Sequence, residues 1–303
     1  MPILLEGKKV AQSIHHTLAN QVQKHVKQGL PAPHLAIILI GEDPASNTYV
    51  DRKVKACKEI GILTTVIRED ARIDEGTLIS SVESLNANPH IHGMIVQLPL
   101  PPHISTATII EAIDPQKDVD GLHPLNYGRI AYQASAGHVP ATPLGIWLLM
   151  KHYQIETTGK HCVIVGRGTT VGTPFSILMS RNAYPGNATV TMCHSHTEDL
   201  ATITRKADIL VAAIGQPKLI TADMIKPGGT VIDVGLTRVP DATKQKGYRL
   251  QGDVDFETVN PLCGYITPVP GGVGPMTIVA LLNNTVRAWL SVEGSRLSIH
   301  CKL

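Results

Sequence analysis

The stretch Val163-Ile-Val-Gly-Arg-Gly-Thr-Thr-Val-Gly-Thr-Pro174 decides how this chain is read. The apolar run His161 to Val165 is too short for a helix and ends on glycine, as a strand buried on both faces does. Beyond it, Val171 to Arg181 is helix-like, so Gly166, Gly168 and Gly172 stand at a strand-to-helix turn. Glycines there let the backbone turn sharply and approach a pyrophosphate, whose charge a helix N-terminus meets. The common fingerprint is GxGxxG; here the third glycine falls one residue late, with Val171 in its usual place. A tight connection with no ligand looks similar, so the flanking strand and helix are what favour a nucleotide site.

The same alternation extends outward from this turn. On the N-terminal side, Leu35 to Ile40 precedes Ser46 to Ile60, Thr64 to Ile67 precedes Asp74 to Leu85, and Gly93 to Leu98 precedes Ser105 to Ile113. On the C-terminal side come Ala188 to Cys193, Ile209 to Ile214 and Thr230 to Val234, with a helix-like turn at Asp223 to Ile225. Strand-helix alternation of this kind implies two α/β domains with parallel sheets, the second a Rossmann-like doubly wound sheet. Asp114 to Pro143 is loop-rich and contains the boundary, near Val139. Pro268 to Pro275 reads as irregular, and Met276 to Ser291 resumes an apolar helical pattern expected to pack back on the first domain. The expected domains are therefore 1–139 plus 276–303, and 140–275.

Composition narrows the function. The 303 residues carry 27 Lys and Arg against 25 Asp and Glu, a net charge of +2, and only 4% aromatics. Neither a basic stripe nor a stacking platform for nucleic acid follows from that. The longest apolar run, Leu35 to Ile40, is far short of the ~20 residues that cross a bilayer, and Glu6, Lys8 and Lys9 interrupt the N-terminal apolar stretch. Cys57, Cys162, Cys193, Cys263 and Cys301 lie far apart with no CxxC pair, which suits a reducing cytoplasm. The histidine pairs His90/His92 and His194/His196 lack a further clear ligand, so no metal is assigned.

Which nucleotide is bound depends on the end of the next strand, where an NAD site usually carries Asp or Glu for the ribose hydroxyl. This chain reads Cys193-His-Ser-His-Thr197 there. Arg167 and the Ser195 hydroxyl are placed to address a 2′-phosphate, which favours NADP. Glu198 or Asp199, just beyond, remains an alternative partner for a ribose.

The segment Ser46 to Ile60 holds an anomaly. Ser46 is a candidate cap, and Val50, Val54, Ala56, Cys57 and Ile60 gather on one apolar arc at 100° per residue. Lys53 falls within that arc, whereas Arg52, Lys55 and Lys58 project away from it. Such a lysine either snorkels its ammonium to water or lines a pocket, where desolvation lowers its pKa and fits it for proton transfer. Tyr49, one turn earlier on the same face, offers a flat surface to a heterocycle. Gln97, at the end of Gly93 to Leu98, and Asp118 and Asp120, in Lys117-Asp-Val-Asp-Gly121, stand where α/β sheets bind ligands. Capping and turn roles are the plainer reading of both aspartates.

With these residues in hand the chain resembles the bifunctional methylenetetrahydrofolate dehydrogenase/cyclohydrolase family nearly end to end. The resemblance rests on Asp43-Pro-Ala-Ser46 through Tyr49 and Lys53, Val96-Gln-Leu-Pro-Leu-Pro101, Lys117-Asp-Val-Asp-Gly121, Val165 to Pro174, and Pro268-Val-Pro-Gly-Gly-Val-Gly-Pro-Met-Thr277. It implies NADP-dependent oxidation of 5,10-methylenetetrahydrofolate and hydrolysis of the methenyl product to 10-formyltetrahydrofolate, in one-carbon metabolism and purine biosynthesis. Lys53 would be the acid/base residue, Tyr49 would stack on the folate, Gln97 would tune the lysine and Asp120 would hold the pterin. Leu98, Pro99, Pro270, Gly271 and Gly272 would line the folate site, and Gly166, Arg167, Gly168, Val171, Gly172, Ser195, Ile214 and Gly215 the NADP site. The family resemblance also implies a homodimer paired through its nucleotide domains. Gly168 stands where serine is common, His196 where Arg or Lys is frequent, and Ala141 where cysteine is usual. An NADP oxidoreductase for a small carbonyl compound, or a non-enzymatic nucleotide-sensing module, would share the glycine loop but have no use for a folate site.

Overall fold

Short apolar runs buried on both faces become the strands, and the amphipathic segments between them become helices. The computed structural model describes residues 2–134, 137–244 and 247–300. Its strands are β1 (Ile3–Leu4), β2 (His34–Ile40), β3 (Leu63–Glu69), β4 (Gly93–Val96), β5 (His161–Val165), β6 (Thr189–Cys193), β7 (Ile209–Ala212), β8 (Thr230–Asp233), β9 (Thr237–Pro240), β10 (Tyr248–Gln251) and β11 (Tyr265–Ile266). The α-helices are α1 (Gly7–Lys27), α2 (Pro44–Ile60), α3 (Glu75–Ala87), α4 (Thr106–Ala112), α5 (Pro124–Ala131), α6 (Ala141–His152), α7 (Gly172–Ser180), α8 (Leu200–Thr204), α9 (Phe256–Val259) and α10 (Val273–His300).

One compact unit runs from Ser13 to Ala141 and resumes at Ile278. Its sheet has the order β3-β2-β4, all parallel, with Leu35 opposite Thr64 and Gly93. Ala36, Ile38 and Ile40 pack with Met94 and Val96 against Leu78, Val82 and Leu85 of α3 and Ile109 and Ile110 of α4. The chain leaves β2 for β3 on one side and returns to β4 on the other, so the C-terminal ends of β2 and β4 form a topological switch point, the usual ligand position in such sheets. As expected, the last helix packs back on this unit. Asn284 Nδ2 donates to the carbonyls of Val119 and Val139, each at 2.9 Å, and Trp289 Nε1 donates to the Pro31 carbonyl at 2.9 Å. His92 is absorbed structurally: its Nδ1 accepts from the His34 amide at 3.1 Å and its Nε2 lies 3.5 Å from Glu293 Oε1.

The second unit comprises the chain up to Gln12 and Thr142–Thr277. Its parallel six-stranded sheet has the order β1-β11-β8-β7-β5-β6, and β9 and β10 form a separate antiparallel pair. From β5 the chain steps to β6 at the edge and then crosses to β7 and β8, which places the switch point of this sheet between β5 and β7. Val163, Val165, Leu210, Ala212, Val231 and Ile266 of the sheet pack with Ile220, Met224 and Val259 in its core.

Several expectations are corrected. The N-terminus does not group with the residues that follow it, because Ile3 and Leu4 pair with Tyr265 and Ile266 of the six-stranded sheet. The units divide at Ala141/Thr142 and not at Val139. Val273 to Pro275, expected to be irregular, open α10; a proline in a first helical turn gives up an amide that had no partner there. The loop-rich stretch contains α5, entered through Pro124 with the His123 ring accepting from the Leu125 amide at 3.0 Å. Asp43, and not Ser46, caps α2: its Oδ2 accepts from the Ser46 amide at 2.7 Å and Pro44 opens the helix. Cys57, Cys162, Cys193 and Cys263 are buried free thiols, and Cys301 lies outside the described residues.

Candidate active site

Helix α2 follows β2 and carries its inward stripe on Ser46, Val50, Lys53, Cys57 and Ile60, while Arg52, Lys55 and Lys58 are exposed. Lys53 is 8% exposed, so it does not snorkel. Its Nζ donates to Gln97 Oε1 at 2.9 Å, and Gln97 Nε2 donates to the Leu98 carbonyl at 2.7 Å, which fixes the amide's orientation. Gln97 is held at the end of β4 by its own amide, which donates to Ile38 O at 2.8 Å. The switch point of the three-stranded sheet thus joins one residue from the helix after β2 to one from the end of β4, and the Leu98–Pro99 bond beyond is cis. Tyr49 is half-buried one turn before Lys53.

Burial drives the Lys53 pKa below 10.5, and the negative charge of Asp120 only partly opposes it. Burial likewise raises the Asp120 carboxyl, with Lys53 opposing and Asp118 adding to the shift. Burial pushes the Cys57 thiol up to about 12, which keeps it neutral and leaves the amine as the proton-exchanging group on this face.

The two aspartates differ in role. Asp118 is buried and its oxygens accept from the amides of Gly121 at 3.1 Å and His123 at 2.8 Å and from Asn126 Nδ2 at 2.9 Å. That is the turn role. The backbone carbonyl of Asp120 accepts from the Ala141 amide at 3.1 Å, but no hydrogen bond from the described residues reaches its carboxylate. It is available to a ligand. Asn126 and Tyr127 belong to no sequence motif; the Tyr127 hydroxyl is buried without a hydrogen-bond partner among the described residues, and burial with Asp118 and Asp120 raises its pKa. Nothing in the spacing of α5 announces that.

At the switch point of the six-stranded sheet the glycine turn follows β5. Gly166 has φ +119°, and a Cβ there would lie 2.2 Å from the Ala213 carbonyl oxygen; one at Gly172 would lie 1.9 Å from Gly166 O. Both glycines are compelled by close backbone approach. Gly168 is different, since a Cβ there meets nothing within 4 Å and a larger residue has room. Val171 supplies no side-chain cap to α7; the Thr173 amide donates to Gly168 O at 3.1 Å and Pro174 has no N–H, so the Gly172 amide is the first-turn donor left to an incoming anion among the described residues. Arg167 and Ser195 are exposed. At the β6 tip, His194 to Thr197 fold on themselves, with Thr197 Oγ1 accepting from the His194 amide at 2.8 Å. Asp199 caps α8 through the Thr202 amide at 3.4 Å, which commits it away from a ribose.

Ile214 and Gly215 follow β7 beside Gly166, with both amides accepted by Asp253, a residue absent from the sequence-based set. Pro270, Gly271 and Gly272 belong to the six-stranded unit, whereas Tyr49, Lys53, Gln97, Leu98, Pro99 and Asp120 belong to the three-stranded one. Their loop has a cis Val269–Pro270 bond and is closed by Gly272 N donating to Pro268 O at 2.8 Å.

A doubly wound sheet with an uncapped helix behind a glycine turn, and a second parallel sheet whose switch point holds a buried amine, define a dinucleotide-dependent enzyme with acid/base chemistry. Comparison with known proteins makes this specific. The family model for the catalytic domain of tetrahydrofolate dehydrogenase/cyclohydrolase matches residues 5–120, and that for its NAD(P)-binding domain matches 140–293. The bifunctional protein FolD of Amoebophilus asiaticus is 64% identical over 288 residues, 95% of this chain and 96% of that protein. The methylenetetrahydrofolate dehydrogenase/cyclohydrolase structure from Campylobacter jejuni is 42% identical with a TM-score of 0.90, covering 96% of this chain and 99% of that one. The Trypanosoma brucei enzyme, solved with NADP and an inhibitor, is 38% identical with a TM-score of 0.90 over 96% of this chain and 98% of that one. The chain belongs to the tetrahydrofolate dehydrogenase/cyclohydrolase family.

Proposed function

We propose that this enzyme oxidises 5,10-methylenetetrahydrofolate with NADP and hydrolyses the resulting 5,10-methenyltetrahydrofolate to 10-formyltetrahydrofolate, with Lys53 as the acid/base residue. NADP⁺ when bound accepts a hydride from the methylene carbon, which leaves the methenyl cation. The protein's task in that step is to hold two rings in register, for which Tyr49 supplies a stacking surface and Asp120 an acceptor for the amino edge of the pterin. Leu98, Pro99, Pro270, Gly271 and Gly272 are the further residues we assign to the folate.

Hydrolysis asks more of the side chains. Water adds its oxygen to the methenyl carbon while the neutral Lys53 amine takes a proton. The C–N5 bond then opens as the carbinol proton leaves and N5 is protonated, giving the formyl group and a net release of one proton. Burial supports this role because it lowers the cost of the neutral amine near physiological pH. Gln97 Oε1 accepts from either protonation state of the amine, so it aims the nitrogen through the whole cycle.

Gly166, Arg167, Gly168, Val171, Gly172, Ser195, Ile214 and Gly215 are assigned to NADP. The lack of a carboxylate at the β6 tip and the commitment of Asp199 to α8 support NADP over NAD. We further assign a homodimer paired through the six-stranded unit, and a cytoplasmic place of work supplying one-carbon units to purine biosynthesis. The free thiols suit that compartment, and no helix among the described residues is long and apolar enough to cross a membrane.

The observation that carries the reading is the buried Lys53–Gln97 pair. An absorbance assay with 5,10-methylenetetrahydrofolate tests it: NADPH should form faster from NADP⁺ than NADH from NAD⁺, and the methenyl band should decay faster than in buffer. No NADPH formation, or decay at the buffer rate, refutes it.

A further inference from the structure

The loop after β7 is fastened by a side chain that no sequence motif singles out. Asp253 is fully buried, and its Oδ2 accepts from the amides of Ile214 at 2.7 Å and Gly215 at 2.9 Å. The same segment is tied twice more, by Lys218 N to Gly252 O at 3.1 Å and Ile220 N to Asp253 O at 3.0 Å. Asp253 is itself seated by Asp233 at the end of β8. Asp233 Oδ1 accepts from the amides of Asp253 and Gly235, each at 2.9 Å, and its Oδ2 from Val254 at 3.0 Å. The packing permits no side chain between them: a Cβ on Gly235 would lie 2.3 Å from Asp253 Oδ1, and one on Gly252 would lie 1.9 Å from Asp233 Oδ2.

Two neighbouring carboxylates are thus buried on backbone amides, and among the described residues no Lys, Arg or His is in ion-pair contact with them and Asp253 Oδ1 has no hydrogen-bond partner. Neutral side chains would fill such a space at lower desolvation cost. What charge adds is strength and direction in the bonds to the Ile214 and Gly215 amides. Those amides are thereby turned away from any ligand, and the loop is left with its carbonyls as its free polar groups. Gly166, the first glycine of the nucleotide turn, packs against the preceding carbonyl of Ala213. A loop offering acceptors suits the ribose hydroxyls and carboxamide of a dinucleotide, not its phosphates.

We infer that Asp253, seated by Asp233, is a positioning residue for the dinucleotide: it fixes the Ile214–Gly215 loop so that acceptors face the hydroxyl and amide donors of the nicotinamide half. This rests on the reading of the six-stranded unit as the NADP site. It makes Asp253 specific to one of the two activities, since the residues assigned to proton transfer in methenyl hydrolysis, Lys53 and Gln97, belong to the other unit.

The test measures both activities of the full chain in Asp253→Asn and Asp253→Ala. Asparagine keeps the shape and one acceptor but loses the charge, and alanine leaves both amides unpaired. The KM for NADP⁺ should rise about tenfold in Asp253→Asn and about a hundredfold in Asp253→Ala. Methenyl hydrolysis should stay within about twofold of the parent rate. A KM for NADP⁺ unchanged in both variants overturns the inference, as does a parallel fall of both activities, which would mark a merely structural role. If Asp253→Ala fails to fold, Gly215→Ala perturbs the same loop at φ +74° with no neighbour for its Cβ to strike. It should raise the KM too, and an unchanged value there and in Asp253→Asn overturns the inference. If the parent protein carries out neither reaction, the functional reading fails separately, and NADPH fluorescence titration reads the same affinity ratios.

Discussion

Replacing Lys53 by methionine should abolish methenyl hydrolysis without unfolding the protein, and the two effects can be worked out separately. Methionine has nearly the same length and volume, so the α2 stripe of Val50, Cys57 and Ile60 keeps its packing. The change removes the desolvation cost of an ammonium at an 8% exposed position. Against that, Gln97 Oε1 loses its donor, which costs about 1–3 kcal/mol for a buried acceptor. These contributions oppose each other, so the net change should stay within about 2 kcal/mol, or a Tm shift within about 5 °C. Catalysis has no such compensation, and losing an acid/base group lowers the rate by about 10²–10⁴-fold. The assay follows decay of methenyl absorbance, with NADPH binding by fluorescence and Tm by circular dichroism on the same preparation. Hydrolysis within about tenfold of the parent rate, with cofactor still bound, would refute the reasoning.

Other expectations follow from the same geometry. Gly172→Ala should abolish NADP binding or folding, because its Cβ would strike Gly166 O, whereas Gly168→Ala should change the NADP Kd less than about threefold; equal effects would contradict the assignment of close approach to Gly172 and not to Gly168. Ser195→Asp puts a carboxylate at the β6 tip and should lower the NADP/NAD preference about a hundredfold in kcat/KM, and an unchanged ratio would remove Ser195 from the phosphate site. Burial raises the Asp233 carboxyl to about 6 from 3.8, so protonation favours the folded state: this contribution is fully present below pH 3.8 and is lost as pH rises through 6. The stability difference between the parent and Asp233→Asn, from urea unfolding, should therefore vary by on the order of 2–3 kcal/mol between pH 4 and pH 7, and a constant difference would contradict it.

The central strands β2, β4, β5, β7 and β8 are readable because both faces of each are buried, so that Leu35 to Ile40 and His161 to Val165 stand out as unbroken apolar runs. In helix α1, Val10, Ile14, Leu18 and Val22 recur every fourth residue, a usable signal that lies within a polar, histidine-rich segment. β1 and β11 contain two residues each, and their pairing depends on partners over 250 positions apart, which no local pattern records. At the site, Lys53 was legible because a cation on an apolar stripe violates helical patterning, and Gln97 and Asp120 because they lie beyond strand ends. Asp253 was not. Its role exists only through amides of a loop that folding brings to it. The cap at Asp43 was available from the Asp-Pro pair that opens α2.

The claim on which the account turns is that the amine at position 53 gives up its proton more readily than an ordinary lysine. NMR titration of the protein labelled in its lysine side chains, with the signal assigned by its loss in Lys53→Met, measures this directly. The account predicts a midpoint well below 10.5, shifted by burial against the opposing charge of Asp120. A midpoint at or above 10.5 would contradict it.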